Sequence, residues 1–253
     1  MNEQWKTALI GALGGATISL VIVFGVASMG LFSNRAATEQ TVHDYLLAKP
    51  ELLQQMSDAL SDKQAMAELA ETQLAVDKQG AKAYLDPRVA FVTGPANAKT
   101  TVVEFFDYNC PYCRLSLPAV KKFYDKHQND TRFAFVEFPI KGDDSVLATR
   151  AMLAARRQPG KYLPFHFALM SQDGLVDRAV IDQTAMRLGL DLNKLHADMD
   201  DPALAQSIAM AHLLAQRSKI TGTPTFIVNG KVRPGAVNDE LLADMAKQRH
   251  RPS

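Results

Sequence analysis

Cysteine is scarce in this chain, with Cys110 and Cys113 the only two in 253 residues. So few thiols exclude the multi-disulfide framework that staples small exported domains. Tryptophan occurs once. Neither charge sign dominates: 28 basic residues face 27 acidic ones, for a net charge of +1. No long basic run stands out, which excludes the electrostatic footprint of a nucleic-acid binder. Metal-ligand clusters are missing as well. A lone Cys-x-x-Cys supplies two of the four ligands that structural zinc takes. The six histidines, His43, His127, His166, His196, His212 and His250, have no partners at ligand spacing and read as surface or helix positions. No metal and no dissociable cofactor is expected.

What the chain does have is Cys110-Pro111-Tyr112-Cys113, directly after the apolar run Val102-Val103-Glu104-Phe105-Phe106. Pro111 suits the first position of a helix, because its fixed φ is helical and its missing N–H would have had no partner. Cys110 then sits at the helix N-terminus, where free N–H groups and the helix dipole favour a thiolate. The thiolate is the species that attacks a disulfide. Cys113, one turn later on the same face, can attack the mixed disulfide and release the product. A purely structural bridge is the competing reading. Closing a loop of about four residues stabilises by roughly 2 kcal/mol, against about 3 for fifteen, and a chain of this length buries a core without it. Redox chemistry is the expectation.

Residues 7–34 contain no charge, and the apolar stretch 8–32 is longer than a signal-peptide core and long enough to span a membrane. Residues 1–34 are therefore expected to be a transmembrane anchor, or a signal if the small residues near Ala27-Ser28-Met29 or Arg35-Ala36-Ala37 are cut. Lys6 and Arg35 flank it almost symmetrically, so the positive-inside rule barely sets its orientation. A pair that makes disulfides belongs in an oxidising space. The expected placement is the cytoplasmic membrane, single-pass, with the catalytic domain in the periplasm, or soluble periplasmic after cleavage. Gly11, Gly15 and Ser19 form a small-xxx-small stripe that could pair two anchors.

Residues 35–86 read as a helical arm. Pro50 opens a stretch in which Leu46, Leu47, Leu52, Leu53, Met56 and Leu60 make an apolar face. A second helix is expected over 63–84, with Met66, Leu69 and Leu74 on its apolar side. Such helices either pack on their own domain or associate between copies, which makes 38–84 a candidate homo-oligomer surface. Asp86-Pro87 marks the entry to a catalytic domain over 87–253. Strands are expected at 89–92, 100–106 and 132–138. An active-site helix containing Pro118 lies between the last two. Short helices should fill about 143–216, broken at Gln158-Pro159-Gly160, Asp173-Gly174, Gly189 and Asp201-Pro202. Asp143, Asp144 and Ser145 read as a helix start. A strand with a turn at Asn229-Gly230, a partner strand and a helix over 238–250 complete an α/β domain split by a helical insertion.

The run Phe105-Phe106-Asp107-Tyr108-Asn109-Cys110-Pro111-Tyr112-Cys113, together with Gly222-Thr223-Pro224-Thr225-Phe226, resembles the DsbA-like thioredoxin-fold proteins. The match is closer to the branch of suppressor-of-copper-sensitivity protein C and the Com-type antigens, in which a helical region precedes the thioredoxin domain. The resemblance covers roughly residues 40–250. It implies an α/β thioredoxin fold with a helical insertion, and a thiol:disulfide oxidoreductase working as oxidase or isomerase. Cysteine-containing exported proteins would be its substrates, and a DsbB-like or DsbD-like membrane partner would recycle it. Cys110 and Cys113 would form the redox-active disulfide. Thr223-Pro224 would be the cis-proline loop against the cysteines, its backbone free to pair with an extended substrate. Pro111 and Tyr112 would border that substrate. Glu104, an acid in an apolar strand, would carry the proton of Cys113. Tyr112 stands where strongly oxidising DsbA proteins have histidine, a position that helps set the potential. A non-catalytic tethered scaffold, or a copper-handling protein using the soft thiolate pair, are the alternatives.

Overall fold

A computed structural model of the protein describes residues 35–248. The expected anchor over 1–34 lies outside the described residues. Among those described, no helix is long and apolar enough to cross a membrane.

Helix α1 spans Arg35–Ala48 and α2 spans Glu51–Gln79. Pro50, immediately before α2, is tolerated at a helix start and ends α1. The chain divides into two units, and the division falls within α2, between Gln64 and Ala65. The sequence suggested a helix break near residue 62 and an arm reaching residue 86. Instead α2 runs unbroken, because no glycine or proline occurs between Glu51 and Gln79. It stops at Gly80, whose φ of 73° lies in the left-handed region that suits glycine. In the first unit α1 buries no residue, and Leu53, Met56 and Leu60 stay exposed.

The second unit holds the rest of α2 together with the sheet. Thr72 and Val76 are the buried residues of α2. Thr72 donates its hydroxyl to the Lys219 carbonyl, and Gln73 bonds the main chain of both Gly230 and Val232. Residues 65–86 thus belong to the second unit rather than to a separate arm. A short helix α3, Ala81–Tyr84, follows and buries Tyr84, whose hydroxyl lies 2.6 Å from that of Ser218.

Five strands form one sheet: β1 Ala90–Thr93, β2 Thr100–Phe106, β3 Thr131–Glu137, β4 Thr225–Val228 and β5 Lys231–Pro234. Their order is β1-β3-β2-β4-β5, with β2 and β3 parallel and every other pair antiparallel. Helix α4, Pro111–His127, connects the parallel pair and continues through Pro118. Five helices then intervene: α5 Asp143–Ala155, α6 Tyr162–Met170, α7 Arg178–Arg187, α8 Leu192–Met199 and α9 Pro202–Arg217. They break where Pro-Gly, Asp-Gly, Gly189 and Asp-Pro stand in the sequence. Asn229 and Gly230, both at positive φ, turn β4 into β5 as a two-residue hairpin demands. Helix α10, Asp239–Lys247, closes the domain with Asn238 as its cap.

Both sheet faces are covered, and the alternation of side chains along the strands decides which residue goes where. Val102, Phe106, Phe133, Phe135, Phe226 and Val228 share one core with α4, α10 and the helical insertion. Val103, Phe105, Ala134, Val136 and Ile227 share the other with Val76, Tyr84 and α9. Glu104 has the parity of Val102 and Phe106. The acid therefore points into the layer that also holds Cys110 and Cys113.

Candidate active site

Strand β2 is central, with β3 on one side and β4 on the other. Its C-terminal end delivers the chain to the start of α4, and β4 begins beside it. Cys110 is the N-cap of α4, with extended backbone at φ −87° and ψ 116°, and Pro111 opens the first turn. The N–H groups of Cys113 and Arg114 close that turn on the Cys110 carbonyl. Both cysteines are buried and unbridged. Tyr112, between them, is 62% exposed.

The Thr223–Pro224 bond is cis. Its loop is fixed from two sides, since the Thr225 hydroxyl donates to the Gly222 carbonyl and the Gly235 N–H donates to the Pro224 carbonyl. The loop lies against the nucleophile: Cys110 Sγ is 3.1 Å from the Thr223 carbonyl oxygen. The Thr223 hydroxyl is buried with no hydrogen-bond partner, and Thr223 favours the Cys110 thiolate. Beside this loop runs a cleft of about 690 Å³, bordered by Leu69, Thr72, Gly222, Thr223, Pro224 and Pro234.

The two thiols are set apart electrostatically. The Cys110 thiol is lowered to about 5, first by the hydrogen bond from Cys113. Burial opposes this, while Thr223 and the N–H groups of Cys113 and Tyr112 add to it. The Cys113 thiol is pushed far up, first by burial, then by its bond to Cys110 and the charge of Glu104. Glu104, 5% exposed and paired in register with Phe135 and Phe226, is pushed up to about 8 by burial and by the charge of Cys110. At neutral pH the site holds one thiolate, one thiol and a carboxyl able to exchange a proton, the set that two-step thiol exchange uses.

The structure thus gathers Cys110, Pro111, Tyr112, Cys113, Glu104, Thr223 and Pro224 into one place. Two features escaped the sequence reading. Tyr108 donates to or accepts from His166 Nδ1 at 2.8 Å, and His166 is 1% exposed, so it is not a surface or helix-filling residue. Burial lowers the His166 imidazole to about 3 and keeps it neutral. The second feature is Asp107, which bonds the N–H of Asn109 two residues on. An acid and its i+2 amide just past a strand are the signature of an Asx turn, and that signal was readable. Among the described residues no group of three histidine, cysteine or acidic side chains could hold a metal.

Compared with known proteins, residues 101–247 match the family described as DSBA-like thioredoxin domain, and residues 35–67 match the copper resistance protein ScsC N-terminal domain. A solved thioredoxin-like oxidoreductase from Silicibacter pomeroyi DSS-3 is 40% identical, with a TM-score of 0.61, over 66% of this chain and 96% of that one. Disulfide bond formation protein D of Bacillus subtilis is 30% identical over 62% of this chain and 76% of its own length. Na(+)/H(+) antiporter NhaA 3 of Salinispora tropica is 33% identical over 63% of this chain, which spans only 24% of that protein.

Proposed function

Because the chain belongs to the DSBA-like thioredoxin-domain family, we propose that it is a thiol:disulfide interchange protein acting on cysteine-containing exported polypeptides through Cys110 and Cys113. The observation that carries this reading is the asymmetry of the pair: Cys110 ionised at a helix N-terminus and Cys113 held as a thiol beside Glu104.

In the oxidising direction a substrate thiolate attacks Sγ of Cys110 in the Cys110–Cys113 disulfide. A substrate–Cys110 bond forms, the intramolecular bond breaks, and the departing Cys113 sulfur takes the proton of Glu104. A second substrate thiolate then attacks the substrate sulfur of the mixed disulfide. Cys110 leaves as its stable thiolate, and the substrate has gained a disulfide. In the reducing direction the steps run backwards, with Glu104 removing the proton from Cys113. Thr223 would offer its main chain to an extended substrate segment in the cleft beside Pro224, with Tyr112 and Pro111 at its border.

The low Cys110 value stabilises the dithiol form, which favours giving the disulfide away. An oxidase of this kind is recycled by a DsbB-like membrane partner. A second reading, isomerase or reductase served by a DsbD-like partner, is favoured by a different observation. Leu47, Leu53, Met56, Leu60, Met66 and Leu74 are all exposed on α1 and α2. An apolar set of that extent within 38–84 would be covered by further copies of the chain, placing several active sites around one substrate.

Acid-quenched alkylation in intact cells, with a mass tag counting free thiols, separates the two. An oxidase keeps Cys110 and Cys113 mostly bridged. An isomerase or reductase keeps them mostly as thiols, and the chain then also runs as an oligomer in light scattering. A tethered scaffold predicts neither pattern, and its phenotype survives Cys110→Ser.

A further inference from the structure

Asp107 occupies the turn between β2 and α4 and is 1% exposed. A buried carboxylate persists only when its oxygens are well supplied with donors. This one has four. Oδ1 accepts the Asn109 N–H and the Ser145 hydroxyl, both at 2.7 Å. Oδ2 accepts the N–H of Ile140 at 2.7 Å and of Lys141 at 2.9 Å. These donors come from the residue's own turn, from the loop after β3 and from the first turn of α5. One side chain thereby ties the approach to the active site to two other segments.

The main chain of the same residue meets both cysteines. Its carbonyl accepts the Cys110 N–H at 3.1 Å, and its main chain favours the charged form of the Cys113 sulfur. Asn109 extends the clamp. Its Oδ1 accepts the Val176 N–H at 2.7 Å from the insertion and a guanidinium N–H of Arg114 at 3.3 Å, while its Nδ2 donates to Ser145 Oγ. Arg114 in turn donates to the Tyr108 carbonyl.

We propose that Asp107 is a positioning residue for thiol exchange: its carboxylate locks the turn over residues 107–110 and so holds both cysteine sulfurs in their reacting places. The inference rests on the exchange reading of this site and adds to it a residue that touches neither substrate nor the reacting sulfurs with its side chain. The N–H groups at the start of α4 reach the Cys110 sulfur only while Cys110 keeps its N-cap backbone. That backbone is set by a turn whose remaining anchors are single hydrogen bonds. Replacing one carboxylate oxygen by an NH₂ group confronts two donors with a third and leaves two buried groups unpaired.

The test follows the rate of Cys110 alkylation against pH in the full chain. Asp107→Asn should move the midpoint up by about one pH unit, the size of one charge-assisted hydrogen bond lost. Ser145→Ala removes one donor of the four and should move it in the same direction by a smaller amount. Leu195→Ala, buried on α8 and making none of the hydrogen bonds of the turn, should lower the melting temperature and leave the midpoint in place. The proposal is overturned if Asp107→Asn and Ser145→Ala fold and titrate like the parent. It is equally overturned if Leu195→Ala shifts the midpoint as far as they do. Should Asp107→Asn fail to fold, Ser145→Ala decides alone. The readout is the sulfur itself, with no substrate present. A parent chain inactive in exchange would defeat the functional reading while leaving this measurement intact.

Discussion

Cys113→Ser should convert the protein into a trap, accumulating a covalent adduct with cysteine-containing polypeptides that Cys110→Ser never forms. With Cys113 gone, Cys110 still presents its thiolate at the start of α4, 3.1 Å from the Thr223 carbonyl. A serine hydroxyl at position 113 can still donate to that sulfur in place of the thiol, so the attack persists. The mixed disulfide then has no second sulfur one turn away to resolve it, and only an outside thiol, at far lower effective concentration, can do so. Cys110→Ser loses the nucleophile itself, and turnover should fall on the order of 10⁴-fold, as when other covalent catalysts lose theirs. Non-reducing electrophoresis with mass identification of the adducts reads both variants. Equal trapping by the two would mean that Cys110 is not the attacking sulfur.

Glu104→Gln should slow exchange and stabilise the fold at once. A positioned proton carrier contributes about 10²-fold or more, and that is the loss expected in the step that makes or breaks the Cys113 bond. The stability effect follows from linkage. The Glu104 carboxyl is raised from its ordinary 4.5 to about 8 in the folded protein. Between those values the unfolded chain has released a proton that the folded chain keeps. The contribution favouring the fold is present in full below pH 4.5 and is lost as pH rises toward 8, at about 1.4 kcal/mol per pH unit. Glutamine is neutral in both states and removes that slope. At pH 7 the variant should be more stable by on the order of 3 kcal/mol, and near pH 4 by almost nothing. Chemical denaturation at several pH values checks this. A variant destabilised at pH 7 would show that the carboxyl is ionised in the fold and paired.

Much of this arrangement was legible because its signals are local. The strand expected over 100–106 became β2 to the residue, and each of the four Gly or Pro breaks named within 143–216 separates two helices. The cysteine spacing and Pro111 located the start of α4. Where legibility failed, the deciding contacts were distant in sequence. Nothing between Glu51 and Gln79 breaks a helix, yet it is late in that helix that Thr72, Gln73 and Val76 bury or bond against the rest of the domain, so the arm's boundary is set by tertiary packing. His166 looks like any helical histidine until the fold brings Tyr108 to it across 58 residues. Asp107 announces its turn through Asn109, but its role as a four-donor anchor depends on Ile140, Lys141 and Ser145. Glu104 was readable as an odd acid in an apolar strand. Its depth follows from β2 lying between β3 and β4 with both faces covered.

The central claim is that Cys110 and Cys113 act as one reversible two-electron couple. Equilibrating the purified chain in a graded series of reduced and oxidised glutathione, quenching in acid and counting alkylated thiols by mass tests it most directly. The account predicts a single transition in which both thiols disappear together, reversible on changing the poise. Thiols that are lost one at a time as glutathione adducts, or that stay free at every poise, would contradict it.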